Sequence, residues 1–371
     1  MDDEKYADIK TQILANYAKR GKIISEKSVD KYLGDIKKIQ SLLGDKGEID
    51  DLSFLYNIND VRSAIEDMRG RKVFINAEGV KEKVPASDNT KRNYFQSIVS
   101  VMDALGDYQA IAYYQKIVND YNKEYKKNVQ EGGTTLTKEN EEKLIPYEEL
   151  MDVLSTLQLE ARTIHDKFKA DKEITEDDMN TYQMYLLLLL YTRHPARNEF
   201  ATLLWGQRQH LDSKDKNYLV HITNEGIFKL VINEYKTAGL YDTRIIDLGK
   251  GGGLSSVFRF WKLLLRRLRN VEKRKTILWA ETSIFYSRFF DIEGPAGEKW
   301  LDSPMTPNKL SKYLARYFEK TIGKSLSTTA IAKIVISHRN KDDSDNLKKT
   351  SNDRGTSVGT LSEVYSQVLP T

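Results

Sequence analysis

Tyr185-Leu186-Leu187-Leu188-Leu189-Leu190-Tyr191-Thr192-Arg193-His194-Pro195-Ala196-Arg197-Asn198-Glu199-Phe200-Ala201-Thr202-Leu203-Leu204-Trp205 is the stretch that organises this chain. Its first part, Tyr185 to Leu190, is an unbroken apolar run and reads as a buried helix. Pro195 can sit only near a helix start, because proline lacks an amide proton and clashes with the preceding turn. Helical spacing resumes over Glu199 to Trp205, which predicts a second helix. Arg197 then lies in the first turn after a helix-to-helix break. A guanidinium placed there can enter a cleft beside backbone N–H groups and grip phosphate oxygens. An ion pair between Arg197 and a neighbour such as Glu199 explains the same residues equally well.

Downstream, the β-branched runs Tyr218 to Ile222, Ile227 to Lys236 and Thr243 to Leu248 are separated by Thr223-Asn224-Glu225-Gly226 and Thr237-Ala238-Gly239. Turn residues between such runs predict a three-stranded antiparallel meander. Lys236 falls beside a hairpin tip, where a lysine serves either as a solvated edge charge or as a proton donor to a leaving oxygen. Near the end of the chain, Asn352-Asp353-Arg354-Gly355-Thr356-Ser357-Val358 forms a small-residue turn, and Tyr365 follows Thr356 by nine positions. That layout places a phenol beside an anchored phosphate, although in a chain with 21 tyrosines a late one also reads as packing or surface.

Taken in order, Arg197, the Lys236 hairpin and Tyr365 resemble the tyrosine recombinases, the integrase family that shares its chemistry with type IB topoisomerases. The resemblance spans nearly the whole chain on short motifs. It implies a mainly α fold with a small antiparallel β-meander: a helical core-binding domain that clamps DNA, then a mixed α/β catalytic domain. Arg197-Asn198-Glu199 resembles the first phosphate clamp, Lys236 the hairpin lysine and Tyr365 the nucleophile. Thr356 stands where the family has His or Trp, and threonine can donate one hydrogen bond but supplies no imidazole. In the family's His-x-x-Arg box, aligned on Ser327 to His338, Thr329 takes the His place and Ala332 the Arg place, with His338 supporting the register. Lys333 is displaced by about 100° around a helix and cannot simply replace the missing guanidinium.

The resemblance implies site-specific recombination through a 3′-phosphotyrosine intermediate, with no cofactor and no metal. It implies double-stranded DNA as partner and a dimer or tetramer on it. Loss of one preorganised clamp costs on the order of 100- to 1000-fold in rate. An engineered inactive variant, a naturally degenerate enzyme and a compensating cation such as Lys333, Arg339 or Arg354 all remain open, with an inactivating substitution favoured. A topoisomerase or resolvase using the same site, and a non-catalytic DNA-binding protein, are the alternatives. Divergent motifs in a lysine- and tyrosine-rich chain also suit a mobile element or large DNA virus.

The 371 residues carry a net charge of only +4, so whole-protein electrostatics does not itself argue for DNA. Locally, Arg259 to Lys275 reads as an amphipathic helix with Trp261, Leu264, Leu265 and Leu268 opposite a basic face. Its Arg259, Lys262 and Arg266 are candidate phosphate contacts, or solvated charges. With no cysteine there is no disulfide framework or thiol nucleophile, and none of the five histidines is paired at metal-ligand spacing. The absence of a signal-like start or a membrane-length apolar run predicts a soluble intracellular protein, without distinguishing cytoplasm from nucleus.

Residues 1–127 read as a helical unit with segments near Asp8 to Tyr17, Ser28 to Leu43, Asn59 to Met68, Asn89 to Leu105 and Tyr108 to Tyr125, capped near Ser28, Asn59 and Ser87 or Asp88. In it Lys91, Arg92 and Asn93 are candidate DNA contacts or exposed cap residues. Residues 128–145, polar with a glycine pair, read as a linker, and 146–371 as the catalytic domain. Asp291 to Pro307 reads as a loop before a helix at Lys309 to Lys320, and Asn340 to Asp353 as a polar, mobile segment.

Overall fold

A computed structural model describes residues 2–21, 24–44, 52–75, 81–131, 144–235, 242–249, 253–271, 282–287, 289 and 304–339. Lys236, Thr356 and Tyr365 lie outside the described residues, as do Arg354 and the segment 340–353. The fold is mainly helical with one small antiparallel sheet and one mixed sheet. Two compact units divide the chain, residues 1–133 and 134–371. Among the described residues no helix is long and apolar enough to cross a membrane.

The first unit contains α1 (Asp2–Lys19), α2 (Glu26–Leu42), a 3₁₀ turn at Ser53–Tyr56, α3 (Ile58–Glu66), strands β1 (Arg69–Ile75) and β2 (Lys81–Pro85), then α4 (Asp88–Leu105) and α5 (Tyr108–Glu131). Apolar positions at helical spacing bury Val29, Leu33 and Ile36 of α2, Val61 and Ile65 of α3, and Phe95 and Ile98 of α4 in one core. Tyr114 of α5 is fully buried with them, its hydroxyl satisfied by Leu55 O at 2.7 Å. The caps fall at Ser25 and Ser87, whose side chains accept from Ser28 N and Thr90 N. Ser28 is therefore inside the helix it was expected to start, and Asn57 rather than Asn59 precedes α3 without a side-chain cap. The antiparallel β1–β2 ribbon has no counterpart in the helical reading of this unit. Helix α5 continues to Glu131, into the stretch expected to be linker.

The second unit starts with α6 (Tyr147–Lys169) and α7 (Glu176–Arg193). A 3₁₀ turn at Glu199–Thr202 leads to β3 (Leu204–Gly206), a second 3₁₀ turn at Arg208–Leu211, β4 (Tyr218–Ile222), β5 (Ile227–Ile232) and β6 (Arg244–Asp247). Helices α8 (Leu254–Val271), α9 (Pro307–Ile322) and α10 (Thr328–Arg339) follow. The meander β4-β5-β6 forms with antiparallel pairing, as its turn residues predict. The helix expected over Glu199 to Trp205 does not form. Only its first residues make a 3₁₀ turn, and Leu204-Trp205-Gly206 extends the sheet parallel to Tyr218-Leu219-Val220. Gly206 permits this approach, since a Cβ there would meet Val220 Cγ2 at 2.8 Å.

The later half of helix α7 is apolar around nearly its whole circumference because it is covered there, and Leu186, Leu187, Leu188 and Leu190 are fully buried. Gln183, also fully buried, exchanges two 2.9 Å bonds with the backbone of Tyr286. Helix α8 buries Phe258, Trp261, Leu264 and Leu265 in the same core, with Trp261 Nε1 donating to Ile284 O at 2.9 Å.

At its N-terminus α7 carries a reciprocal cap. Thr175 Oγ1 accepts from Asp178 N, and Asp178 accepts in turn from Thr175 N and from Lys167 Nζ, the latter at 2.8 Å. Burial alone would raise the Asp178 carboxyl, but the bonds from Lys167 and Thr175 outweigh it and hold the group below the ordinary carboxylate value. A folded-state pKa depressed in this way stabilises the fold above the unfolded value, and that contribution is lost as pH falls through the folded value. Asp178→Asn should lower stability by about 1–2 kcal/mol at neutral pH. The gap to wild type in urea unfolding should close on acidification, whereas a pH-independent gap would contradict the cap.

Candidate functional site

Arg197 sits on the short irregular segment between α7 and the 3₁₀ turn, and that segment is anchored from three directions. Tyr191, buried in α7, donates its hydroxyl to Arg197 O. Thr328, the first residue of α10, donates to Asn198 Oδ1 at 2.6 Å. At the other end of α10, Arg339 bonds to the carbonyls of Thr192 and Arg193. Helix α10 is thus tied at one end to the segment that carries Arg197 and at the other to the last turn of α7, which leads into it.

The guanidinium itself is half-buried, and its Nη1 is shielded from solvent without a hydrogen-bond partner among the described residues. No ion pair joins it to Glu199, whose Oε2 is likewise buried and unpartnered, so the local ion-pair reading fails. A shielded N–H of a permanent cation is costly to leave unpaired in a structural role, and it is poised to donate to an anionic oxygen.

Asn217 fixes the surroundings. It is fully buried, and its Nδ2 is shared among Glu199 O at 3.2 Å, Thr202 Oγ1 at 3.0 Å and Glu234 O at 3.2 Å. Its Oδ1 accepts from Asn233 N and Glu234 N, both at 2.8 Å. One amide therefore joins the turn just after Arg197 to the backbone leaving β5, two residues before Lys236. Sequence reading missed this residue, because an asparagine after Ser213-Lys214-Asp215-Lys216 looks like one more polar loop position.

The remaining expected site residues lie as follows. Thr329 is exposed on the first turn of α10, next to the engaged Thr328. Ala332 is fully buried, so its Cβ packs into the core. Lys333 is half-buried. Arg339 is occupied with the carbonyls ending α7, and His338 stacks on Tyr147 with ring centroids 3.7 Å apart.

On α8, Arg259 donates to Gly226 O and closes the β4–β5 turn. Lys262 lies 5.3 Å over the Trp205 ring, and burial, then the charge of Arg266, lowers its pKa. Arg266 is exposed. Burial also depresses His221, helped by Lys262 and Arg259, so a positive cluster lies over this end of the sheet. In the first unit Lys91 is 3.9 Å from Glu66, while Arg92 bonds to Asn122 Oδ1 at 3.1 Å and to Asn93 Oδ1 at 3.3 Å. These three residues are partly engaged in holding α4 against its neighbours. The unexpected β1–β2 ribbon instead presents Arg69, Lys81 and Lys83 to solvent.

No family model matches the chain, and no curated protein matches it. Among solved structures, the crystal structure of XerA recombinase aligns over 98% of this chain and 94% of that one, at 11% identity and a TM-score of 0.32. Likeness at that level supports no assignment.

Two substitutions probe the geometry. Asn217→Ala strands several buried backbone groups and should cost about 3–5 kcal/mol of unfolding free energy. A loss within the range of a surface change, about 0.5 kcal/mol, would rule out the junction. Arg197→Met removes an unpartnered guanidinium and should leave the urea midpoint unchanged or raised, while a marked drop would mean that Arg197 has a structural partner.

Proposed function

We propose that this chain binds double-stranded DNA and breaks and rejoins it by tyrosine-type strand transfer. The observation that carries the reading is the shielded, unpartnered Nη1 of Arg197, held beside a buried junction that also fixes the strand leading to Lys236. In the proposed reaction the Tyr365 oxygen attacks a backbone phosphorus and the 5′ oxygen leaves. Arg197 stabilises the charge that grows on the non-bridging oxygens, and Lys236 gives its proton to the departing 5′ oxygen, which leaves as a hydroxyl. The product is a 3′-phosphotyrosine ester. Attack by a 5′ hydroxyl reverses the step, so rejoining requires no nucleotide cofactor. Several protomers on DNA would act together in recombination.

The exposed basic residues of the β1–β2 ribbon support a DNA partner, since a two-stranded ribbon fits the major groove. Lys91, Arg92, Asn93, Arg259, Lys262 and Arg266 remain proposed backbone contacts, Arg259 and Arg266 being the exposed ones on α8.

A second reading, a DNA-binding protein without strand transfer, is favoured by one observation. Ala332 is fully buried where the resembled family carries its second arginine, so this chain forms its clamp with one guanidinium fewer. Covalent capture on a randomised pool of nicked suicide duplexes separates the two. Strand transfer predicts a detergent-stable adduct from the wild-type chain that disappears in Tyr365→Phe and drops by about 100-fold or more in Arg197→Gln. Tight duplex binding with no adduct would leave only the second reading. Ala332→Arg inserts a charged side chain into a filled core position and should lower the melting temperature, so it makes a poor rescue.

A further inference from the structure

The β1–β2 ribbon concentrates positive charge as the rest of the chain does not. Its two strands, Arg69–Ile75 and Lys81–Pro85, carry five basic residues and one acid. That surplus equals the net charge of +4 of all 371 residues, so the remainder of the sequence is balanced. The ribbon is also fixed at its root. Met68 and Ala86, which flank it, are each 6% exposed in the core of the first unit, and Ala86 N donates to Met68 O at 2.8 Å. Gly70 lets the strands close there, since an added Cβ would meet Val84 O at 3.2 Å. An isolated two-stranded ribbon is marginal in water, so this anchorage is what holds its shape.

The pairing register decides which residues share a face. Partners across an antiparallel pair lie on the same face, and neighbours along a strand alternate. Arg69 pairs with Pro85, Val73 with Lys83 and Ile75 with Lys81, with a bulge between Arg69 and Val73. Arg69, Val73, Lys81 and Lys83 therefore belong to one face, and all four are exposed, Val73 by 53%. Glu82 and the half-buried Val84 alternate to the opposite face. Among the described residues, no ion pair occupies the side chains of Arg69, Lys81 or Lys83.

Lysines on an edge strand commonly serve to keep other strands from pairing with it. That duty accounts for the charges, but not for three cations sharing a face with an exposed valine while the one acid lies behind. We infer that this face of the ribbon seats in the major groove of B-form DNA, with Arg69, Lys81 and Lys83 toward the phosphates and Val73 toward the base edges. Strands about 5 Å apart fit, with their side chains, a groove about 12 Å wide. From Lys81 to Pro85, the partner of Arg69, β2 rises about 13 Å, so the cations are spread along the duplex rather than gathered on one phosphate. An apolar side chain between them can meet a thymine methyl. The deep, narrow major groove of an RNA duplex excludes the same ribbon. The inference rests on the double-stranded DNA partner proposed above but needs neither Arg197 nor Tyr365.

The test is fluorescence anisotropy of the full chain on a DNA duplex and on an RNA duplex of matched sequence, across a salt series. The Lys81→Gln, Lys83→Gln double variant should bind the DNA about tenfold more weakly, with the slope of log affinity against log salt shallower by about 2. Val73→Glu, which sets a carboxylate on the same face and leaves the lysines in place, should weaken binding by a similar factor. Both should melt near the wild-type temperature, because the positions are exposed. As a charge-matched control, Lys37→Gln with Lys38→Gln on the exposed side of α2 should cost under about threefold. An equal loss from the α2 pair, ribbon variants that bind DNA as the wild type does, or a wild type that binds the RNA duplex as tightly as the DNA would overturn the inference. If the ribbon variants bind normally while the Tyr365-dependent adduct forms, this inference alone falls. If they lose the duplex and no adduct forms from the wild type, it stands without strand transfer, and a wild type that binds no duplex removes both readings.

Discussion

One buried amide holds the second unit's candidate site in register. Asn217 has no exposed surface and joins the turn beyond Arg197 to the backbone that leaves β5 for Lys236. An amide buried in an apolar core is tolerated only when its donors and acceptor are satisfied, and here the satisfaction links two segments that are remote in sequence. Separately from its side chain, the backbone carbonyl of Asn217 accepts from Leu204 N at 2.9 Å, where β3 begins its parallel pairing with β4. Removing the amide would free the turn after Arg197 and the β5 exit together.

Around that junction the helices act as fixed walls. Helix α7 is buried through its central run, and α10 is bound to its end through Arg339 and, through Thr328, to Asn198. Arg197 emerges where these constraints converge, with one nitrogen shielded and unpaired. The full burial of Ala332 leaves the candidate clamp with a single guanidinium from these two segments, and Arg339 is committed to backbone carbonyls. The basic residues of α8 have mixed duties: Arg259 closes a turn, Lys262 covers Trp205, and Arg267 bonds to Phe168 O and Lys172 O at the end of α6.

Much of the fold was legible because its signals are local. The apolar run from Tyr185 to Leu190 specified a buried helix, and the turn residues between 222 and 227 specified a hairpin, as observed. What escaped depended on tertiary partners. Val73, Phe74 and Ile75 are consecutive rather than alternating, so β1 carries no period-two signal and becomes a strand only by pairing with Lys81 to Lys83. Leu203, Leu204 and Trp205 fit a helix by spacing, but sheet pairing with Tyr218 and Leu219 overrides that preference. Within the site, the break before Arg197 was readable from Pro195, whereas Asn217 was not, because its role comes entirely from burial.

The most direct measurement is a double-mutant cycle on duplex affinity, comparing wild type, Arg197→Gln, Asn217→Ser and the double variant at fixed salt. If Asn217 positions Arg197 for a phosphate, the loss from Arg197→Gln should be largely absent once Asn217 is replaced, giving a coupling above about 0.5 kcal/mol. Additive losses, or an Arg197→Gln variant that binds duplex as tightly as the wild type, would contradict that positioning.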